Sequence, residues 1–193
     1  MEKLTSLNLT FDRVLIQLVT PGLLTSFPFI LLFFNARPDV AEFFLQDSKG
    51  LLVTAIALVA LVMGIILENI GSRIEVNIYD NLLSRRRKEY FETWEKFLMI
   101  QYQGQEPIGH RYLRNILFRM KFELSAGVGL IIMTAGLGIY NIDHVIFESF
   151  VLNLLIVYTL PLATSIYLLV FEGWRSAEVL AECRKSLVER YFY

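Results

Sequence analysis

The sequence contains little cysteine, little histidine and no recognisable catalytic motif. One cysteine, Cys183, and two histidines occur in 193 residues. A single cysteine excludes an intramolecular disulfide and any metal cluster built from several thiolates. The chain has no GxSxG elbow, P-loop, HExxH or CxxC pair, which are common signatures of hydrolases, nucleotide-driven enzymes and zinc enzymes. The sequence therefore assigns no catalytic residue, metal or cofactor, and it leaves open whether the protein is an enzyme.

Charge is also scarce, and four long stretches contain none. Charged residues make up 19% of the chain, and residues 14–36, 50–67, 124–142 and 149–171 include no Asp, Glu, Lys or Arg. A helix needs about 20 apolar residues to cross the roughly 30 Å hydrocarbon core of a bilayer, so each stretch is long enough or within one turn of it. The first stretch is too long for the core of a signal peptide, so we expect it to be a retained span.

These stretches predict an all-α integral membrane protein with four transmembrane helices in a single domain. The predicted spans cover about residues 14–36, 50–70, 122–142 and 147–171. A helical cytosolic cap is predicted from segment 72–121 and from a C-terminal helix over residues 174–191. No internal repeat or low-complexity linker divides the chain, of which 55% is hydrophobic.

The uneven distribution of basic residues predicts the orientation. Ten Lys or Arg residues lie in segment 71–121, four lie from Glu172 onward, and two lie in the first thirteen residues. The other two connections carry only Arg37 and Lys49. The first of them, between the first two spans, is predicted to be an outer loop that bears Asp39, Glu42 and Asp47. Because basic residues are retained in cytoplasmic loops, both termini are predicted to be cytoplasmic in a multi-pass protein of the plasma (inner) membrane. The four predicted spans make the lipid bilayer the expected partner. The formal net charge is −1, so no specific binding of nucleic acid is expected.

The second apolar stretch continues into a polar helical pattern that carries the main candidate residues. One predicted helix face holds Ala60, Gly64, Glu68, Gly71 and Glu75, with Asn69, Arg73 and Asp80 beside it. One interpretation is structural: the small residues allow close helix packing, and the carboxylates pair with basic residues, namely Arg73, Arg114, Arg119 or Lys121. The other is functional: Glu68 lines an aqueous path or accepts a proton or cation, because ionisable groups at membrane depth tend to mark pathways. A metal or catalytic carboxylate site is a third interpretation.

Other polar and small residues interrupt the remaining spans. Glu123 is expected to pair with Arg119, four residues earlier on the same helix. Glu148 and Asn153 either form an outer vestibule or lie at the interface, with Asn153 hydrogen-bonded to a neighbouring helix. Gly127, Gly129, Gly136 and Gly138 are expected to pack closely against other helices. Pro21 and Pro28 make the first helix bendable, which suggests a gating hinge.

The predicted cap carries a basic run and an amphipathic helix. Arg85, Arg86, Arg87 and Lys88 are typical of a topology determinant and could contact lipid headgroups. Residues 90–100 show helical spacing of apolar side chains, so the face that includes Trp94 is expected to contact lipid, a neighbouring helix or a partner. His110 with Glu75, Asp80 and Glu106 could in principle form an acid–base or metal site, although a loop histidine is the commoner case.

Three classes of function fit these features. The first is a homo-oligomeric pore, channel or membrane-permeabilising effector that is gated through its cytosolic helices. The second is an enzyme at the membrane interface that acts on lipid or a lipid-linked substrate through Glu68, Glu75, Asp80 and His110. The third is an accessory membrane subunit whose 90–100 helix docks a cytosolic protein partner.

Overall fold

The described part of the chain is helical and contains no strand. This computed structural model describes residues 2–46, 48–87, 89–100, 108–143 and 146–192. Its α-helices are α1 (Glu2–Ala36), α2 (Pro38–Gln46), α3 (Lys49–Ile74), α4 (Asn81–Arg86), α5 (Tyr90–Met99), α6 (Ile108–Asp143), α7 (Phe150–Asn153), α8 (Leu160–Ile166) and α9 (Gly173–Phe192). Three π-helical segments lie between them: π1 (Glu75–Asp80), π2 (Leu154–Thr159) and π3 (Tyr167–Glu172).

Four of the resulting helices are long and apolar enough to cross a membrane, as the sequence predicts. They cover Leu15–Ala36, Lys49–Arg86, Tyr112–Ile142 and Phe150–Phe192. The second joins α3, π1 and α4 without a break, and the fourth joins every element from α7 to α9. The C-terminal helix, predicted as a separate element, is therefore the direct continuation of the fourth apolar helix.

The connection between the first two long helices differs from the prediction. It was expected to be a loop with Asp39, Glu42 and Asp47, but it contains the nine-residue helix α2. Pro38 and Asp39 occupy its first turn, where a missing N–H and a negative charge are both favourable. Asp47 lies outside the described residues.

Helix α6 lies at the centre of the bundle and contacts the other three long helices. Its glycines lie on two faces of the helix, one against α1 and one against the fourth long helix. A Cβ at Gly129 would lie 3.2 Å from the Pro21 carbonyl oxygen of α1, and one at Gly136 would lie 2.7 Å from Pro28 Cγ. A Cβ at Gly127 would instead meet the fourth helix, 2.6 Å from Leu169 Cγ. Gly127, Gly129 and Gly136 therefore lie in close contacts, and both α1 prolines are buried, whereas a Cβ at Gly138 would make only ordinary contact, 3.4 Å from Tyr158 Cε1.

Helices α1 and α3 approach each other closely through small residues. Ala60 and Gly64 are both buried on α3. A Cβ at Gly64 would lie 2.1 Å from the Leu18 carbonyl oxygen, and one at Gly22 would lie 1.8 Å from the Ala60 carbonyl oxygen. The α1–α3 contact therefore depends on the absence of side-chain atoms on both helices. Gly22 is the partner that sequence reasoning did not single out.

One end of the bundle and its middle differ in how their apolar side chains are covered. We call the end that holds Arg86, Arg119 and Lys121 the basic end. A cluster of buried apolar side chains lies there, made of Tyr79, Leu83, Tyr90, Leu113, Ile116, Met120, Leu124, Ala177, Leu180 and Ala181. The middle of the bundle instead exposes large apolar side chains such as Val53, Leu58, Val62, Leu155 and Leu160. A buried core suits contact with water, and exposed apolar side chains suit contact with lipid.

Candidate functional site

Charged side chains meet at one level where α6 passes α3 and the fourth helix. Lys121 Nζ lies 3.1 Å from Glu68 Oε1 of α3, and each side chain is about one-third exposed. On its other side, α6 presents Arg119 and Glu123 to the fourth helix, where Glu172 lies. We call Glu68, Arg119, Lys121, Glu123 and Glu172 the ion-pair belt. Its three α6 members lie within about one helical turn, so the belt marks a single level of the bundle.

Glu123 is the most buried member of the belt. Its Oε1 accepts a hydrogen bond from Arg119 Nε at 2.6 Å, and its Oε2 accepts one from Ser176 Oγ at 2.8 Å. The predicted Arg119–Glu123 pair is therefore confirmed. Arg119 also donates to Glu172, so one guanidinium connects two carboxylates on different helices. Ser176 and Glu172 are members of this network that sequence reasoning missed, because only the packing of α9 brings them to α6.

The spacing on α6 explains why the belt reaches two neighbours. Arg119 and Glu123 are four residues apart and share one face of the helix. Lys121 lies between them, about 200° around the helix from Arg119 at 3.6 residues per turn. It therefore faces α3 and pairs with Glu68. The structural interpretation offered several basic partners for the carboxylates of this face. In the structure, Lys121 is the one that pairs with Glu68.

A second polar cluster lies in the basic end, farther from the apolar middle than the belt, and connects π1, α5 and α9. Tyr90 Oη donates to Asp80 Oδ1 at 2.7 Å, and Arg184 Nη1 donates to Tyr90 Oη at 3.2 Å. The Arg184 guanidinium lies 3.9 Å from the centre of the Trp94 ring, a cation–π contact. Burial and the hydrogen bond to Asp80 raise the pKa of Tyr90 to about 12. The phenol therefore stays protonated and donates to Asp80 at neutral pH.

A pocket of about 360 Å³ opens between α5 and α9 beside this cluster. Its lining in the described part of the chain includes three basic side chains, Arg87, Arg184 and Lys185. Arg184 is only 6% exposed, and its Nε has no hydrogen-bond partner among the residues that the structure describes. Arg184 was not among the predicted site residues. Its burial could nevertheless have been predicted, because Arg184 lies four residues after Leu180 and four before Val188 on the apolar stripe of α9.

The remaining predicted residues of the second helix are spread around it. Asn69 and Arg73 are exposed, and Glu75 is partly buried. Arg86 lies 5.0 Å from the centre of the Trp174 ring and 4.0 Å from Glu178. Arg87 pairs with Glu182 of α9 at 3.0 Å, and Arg85 is exposed. Lys88 lies outside the described residues.

The metal site considered for His110 is not assembled in the described part of the chain. No group of three or more His, Cys, Asp or Glu side chains suited to a metal ion occurs there. The His110 ring stacks on Phe97 at 5.2 Å between centroids, which gives it a place in the packing of α5 against α6. Glu106 lies outside the described residues.

The polar residues at the opposite end form a local network. Asn153 is buried, and its Nδ2 donates to Asn141 Oδ1 at 3.1 Å. Asn141 Nδ2 in turn donates to Tyr158 Oη at 3.2 Å. Asn153 therefore makes the hydrogen bond to a neighbouring helix that one interpretation expected. Glu148 is exposed at this end, before α7 begins.

No protein-family model, curated protein or solved structure matches this chain.

Proposed function

We propose that this protein is a small multi-pass protein of the inner membrane that assembles into a homo-oligomeric pore or channel. In this proposal the basic end and both termini are cytosolic, and the basic-end helices gate the pore. The membrane-permeabilising activity would be switched by the packing of α5 and α9. The observation that carries the proposal is the ion-pair belt, since it lies where three long helices pass from the exposed apolar middle to the basic end.

The continuity of the helices supports gating from this end. The second, third and fourth long helices each cross the level of the belt without a break. Arg119 connects Glu123 on α6 with Glu172 on the fourth helix, so a displacement of α9 acts directly on both helices. Conformational changes are commonly transmitted by rigid helices that are joined through hydrogen bonds and salt bridges and that shift between two arrangements. A change in the packing of α9 would thus reach the membrane-spanning parts.

Exposed apolar side chains beyond the belt support an oligomer. Ile74, Ile78 and Leu82 recur every four residues, and they line a groove of about 500 Å³ with Val170 and Trp174. Ile78 and Leu82 are each more than 40% exposed. If the belt marks the inner boundary of the membrane, this stripe faces water in a single copy, where exposed apolar area is unfavourable. A second copy of the chain would cover it.

The test is ion flux through liposomes that contain the purified full-length chain. Glu68→Gln removes the carboxylate and leaves Lys121 without its counter-charge, so a path beside Glu68 should lose cation preference. Lys121→Gln is the matched variant that breaks the same pair and keeps the carboxylate. A double variant, Glu68→Lys with Lys121→Glu, restores the pair in reverse order.

The three variants separate a pathway role from a structural role. If Glu68 lines the path, the reversed pair should assemble normally but should shift selectivity toward anions, and Lys121→Gln should increase cation preference. If the pair is only structural, the reversed pair should restore wild-type flux and selectivity. Tight liposomes with every variant, including wild type, would contradict the pore itself.

A second function is favoured by the surface of α5. Phe91, Leu98 and Met99 are 59%, 65% and 69% exposed, which suits docking of a cytosolic partner. Trp94, the residue predicted for this contact, is covered on one side by Arg184 and stacks near Phe97. An accessory subunit should lose a co-purifying partner with Phe91→Ser and Leu98→Ser, while Val62→Ser on the exposed middle of α3 serves as the control. Equal recovery of the partner with all three variants would count against docking through α5.

A further inference from the structure

The pocket between α5 and α9 has the composition of an anion-binding site. Its basic residues come from separate parts of the chain: Arg87 precedes α5, and Arg184 and Lys185 belong to α9. Among the described lining residues, Glu89 is the only carboxylate. Basic side chains from separate elements that converge on one cavity raise the local affinity for an anion.

The buried guanidinium is the strongest evidence for a ligand. Arg184 lines the pocket and is 6% exposed, and its Nε lacks a hydrogen-bond partner within the described ranges. A buried donor without a partner is unfavourable by about 1–3 kcal/mol, and more for a charged group. Its Nη1 is held by Tyr90 and its plane by Trp94, so the guanidinium is fixed in orientation. An anion in the pocket would offset this buried positive charge.

The carboxylates beside the pocket occupy the positions that such an anion would take. Arg87 pairs with Glu182 at 3.0 Å, and Lys185 lies 3.5 Å from Glu89. Both pairs are solvent-exposed, and exposed ion pairs contribute only about 0–1 kcal/mol. A doubly charged oxyanion bridging two or three cations would therefore displace these carboxylates at small cost.

We propose that this pocket binds a small soluble phosphorylated ligand through Arg87, Arg184 and Lys185. The volume of about 360 Å³ lies near the lower end of the range of about 300–1,000 Å³ found for ligand pockets, which favours a compact molecule. Arg87 lies 19 residues beyond Glu68, a distance of about 28 Å at 1.5 Å per residue. The headgroup layer is about 5–8 Å thick on each side, so a lipid phosphate at the level of the belt would not reach the pocket.

Binding of a ligand in this pocket does not require that the protein form a pore. A role of that ligand in gating does rest on the proposed function. In that role, a ligand that joins Arg87 to α9 would change the packing of α9 next to the ion-pair belt. Binding and flux are therefore measured separately.

The test is calorimetric titration of the purified full-length chain in detergent micelles with inorganic pyrophosphate as the probe. Wild type should bind it saturably at one site per chain. Arg87→Gln and Lys185→Gln should each weaken binding about tenfold, the effect of losing one charge-assisted contact. Arg85→Gln and Arg190→Gln are the matched controls, since each removes one positive charge from a neighbouring residue that does not line the pocket, and they should leave the affinity unchanged.

Two further arms identify the source of the anion and its effect. Micelles with and without phosphatidylglycerol should give the same affinity, whereas displacement of pyrophosphate by the lipid would assign the site to a headgroup and overturn a soluble ligand. Absence of saturable binding by wild type, or equal weakening by Arg85→Gln and Arg87→Gln, would overturn the site. Saturable binding to a chain that gives no flux would retain the site and reject the pore.

Discussion

The contact between α1 and α3 gives the sharpest prediction of stability, because the structure shows where an added methyl group would lie. In Gly64→Ala the new Cβ would be 2.1 Å from the Leu18 carbonyl oxygen and 3.0 Å from its Cα, whereas ordinary contact begins at 3.4 Å. The obstructing atoms belong to the backbone, so no side-chain rotation relieves the overlap. The two helices must separate by more than an ångström or bend locally.

The expected magnitude is a balance of two terms. Overpacking of a close contact costs about 1–3 kcal/mol, and a backbone obstruction places this case at the upper end. Replacing glycine by alanine inside a helix contributes about 1 kcal/mol in the opposite direction. We therefore expect Gly64→Ala to lower the free energy of unfolding by about 2 kcal/mol.

Gly50→Ala is the matched control at the other end of the same helix. Nothing lies within 4 Å of a Cβ at Gly50, so this variant should be neutral or slightly more stable than wild type. Unfolding in mixed micelles with increasing dodecyl sulfate, followed by circular dichroism, measures both variants. If Gly64→Ala is as stable as Gly50→Ala, the close approach of α1 and α3 is wrong.

Three further variants test separate parts of the basic end. Glu123→Ala should lower the free energy of unfolding by about 2 kcal/mol in the same titration, because two hydrogen bonds are lost while Arg119 keeps Glu172 and water as partners. Ile78→Asp should reduce the oligomer measured by light scattering in micelles, and an unchanged mass would exclude the groove as the contact. Folding raises the pKa of Tyr90 from its ordinary value of 10.0 to about 12. The protonated phenol therefore contributes stability that is fully present below pH 10 and is lost as the pH rises toward about 12. Tyr90→Phe should therefore flatten alkaline unfolding over that range, and an equally steep loss would contradict the buried phenol.

Several features of the fold followed from local pattern. Long apolar stretches without charge are unfavourable in water and are long enough to cross a membrane as helices. They therefore predicted the four long helices. The Arg119–Glu123 pair needed only the spacing of four residues on one helix. The glycines of α6 predicted close packing because a helix surface without Cβ atoms admits a neighbouring backbone. In each case the relevant contact or property belongs to a single helix.

Other features depended on which helices become neighbours. The spacing of Glu68 allowed four basic partners, and only the placement of α3 beside α6 selected Lys121. Helix α2 was not predicted, because a helix of nine residues is marginal by itself and depends on its contacts with α1 and α3. The pocket beside Arg184, whose Nε has no hydrogen-bond partner in the described part of the chain, requires α5 to pack on α9. That packing joins residues more than 90 positions apart.

The sequence by itself determined that the chain forms four long apolar helices and that most of its basic residues lie in segment 71–121 and after Glu172, since hydrophobicity and charge are properties of each residue. Only the tertiary structure decided that Gly22 meets Ala60, that the ion-pair belt joins three helices, and that a buried guanidinium lines a pocket. These features are contacts between distant segments, and their energies depend on distances of a few ångströms that no local pattern encodes.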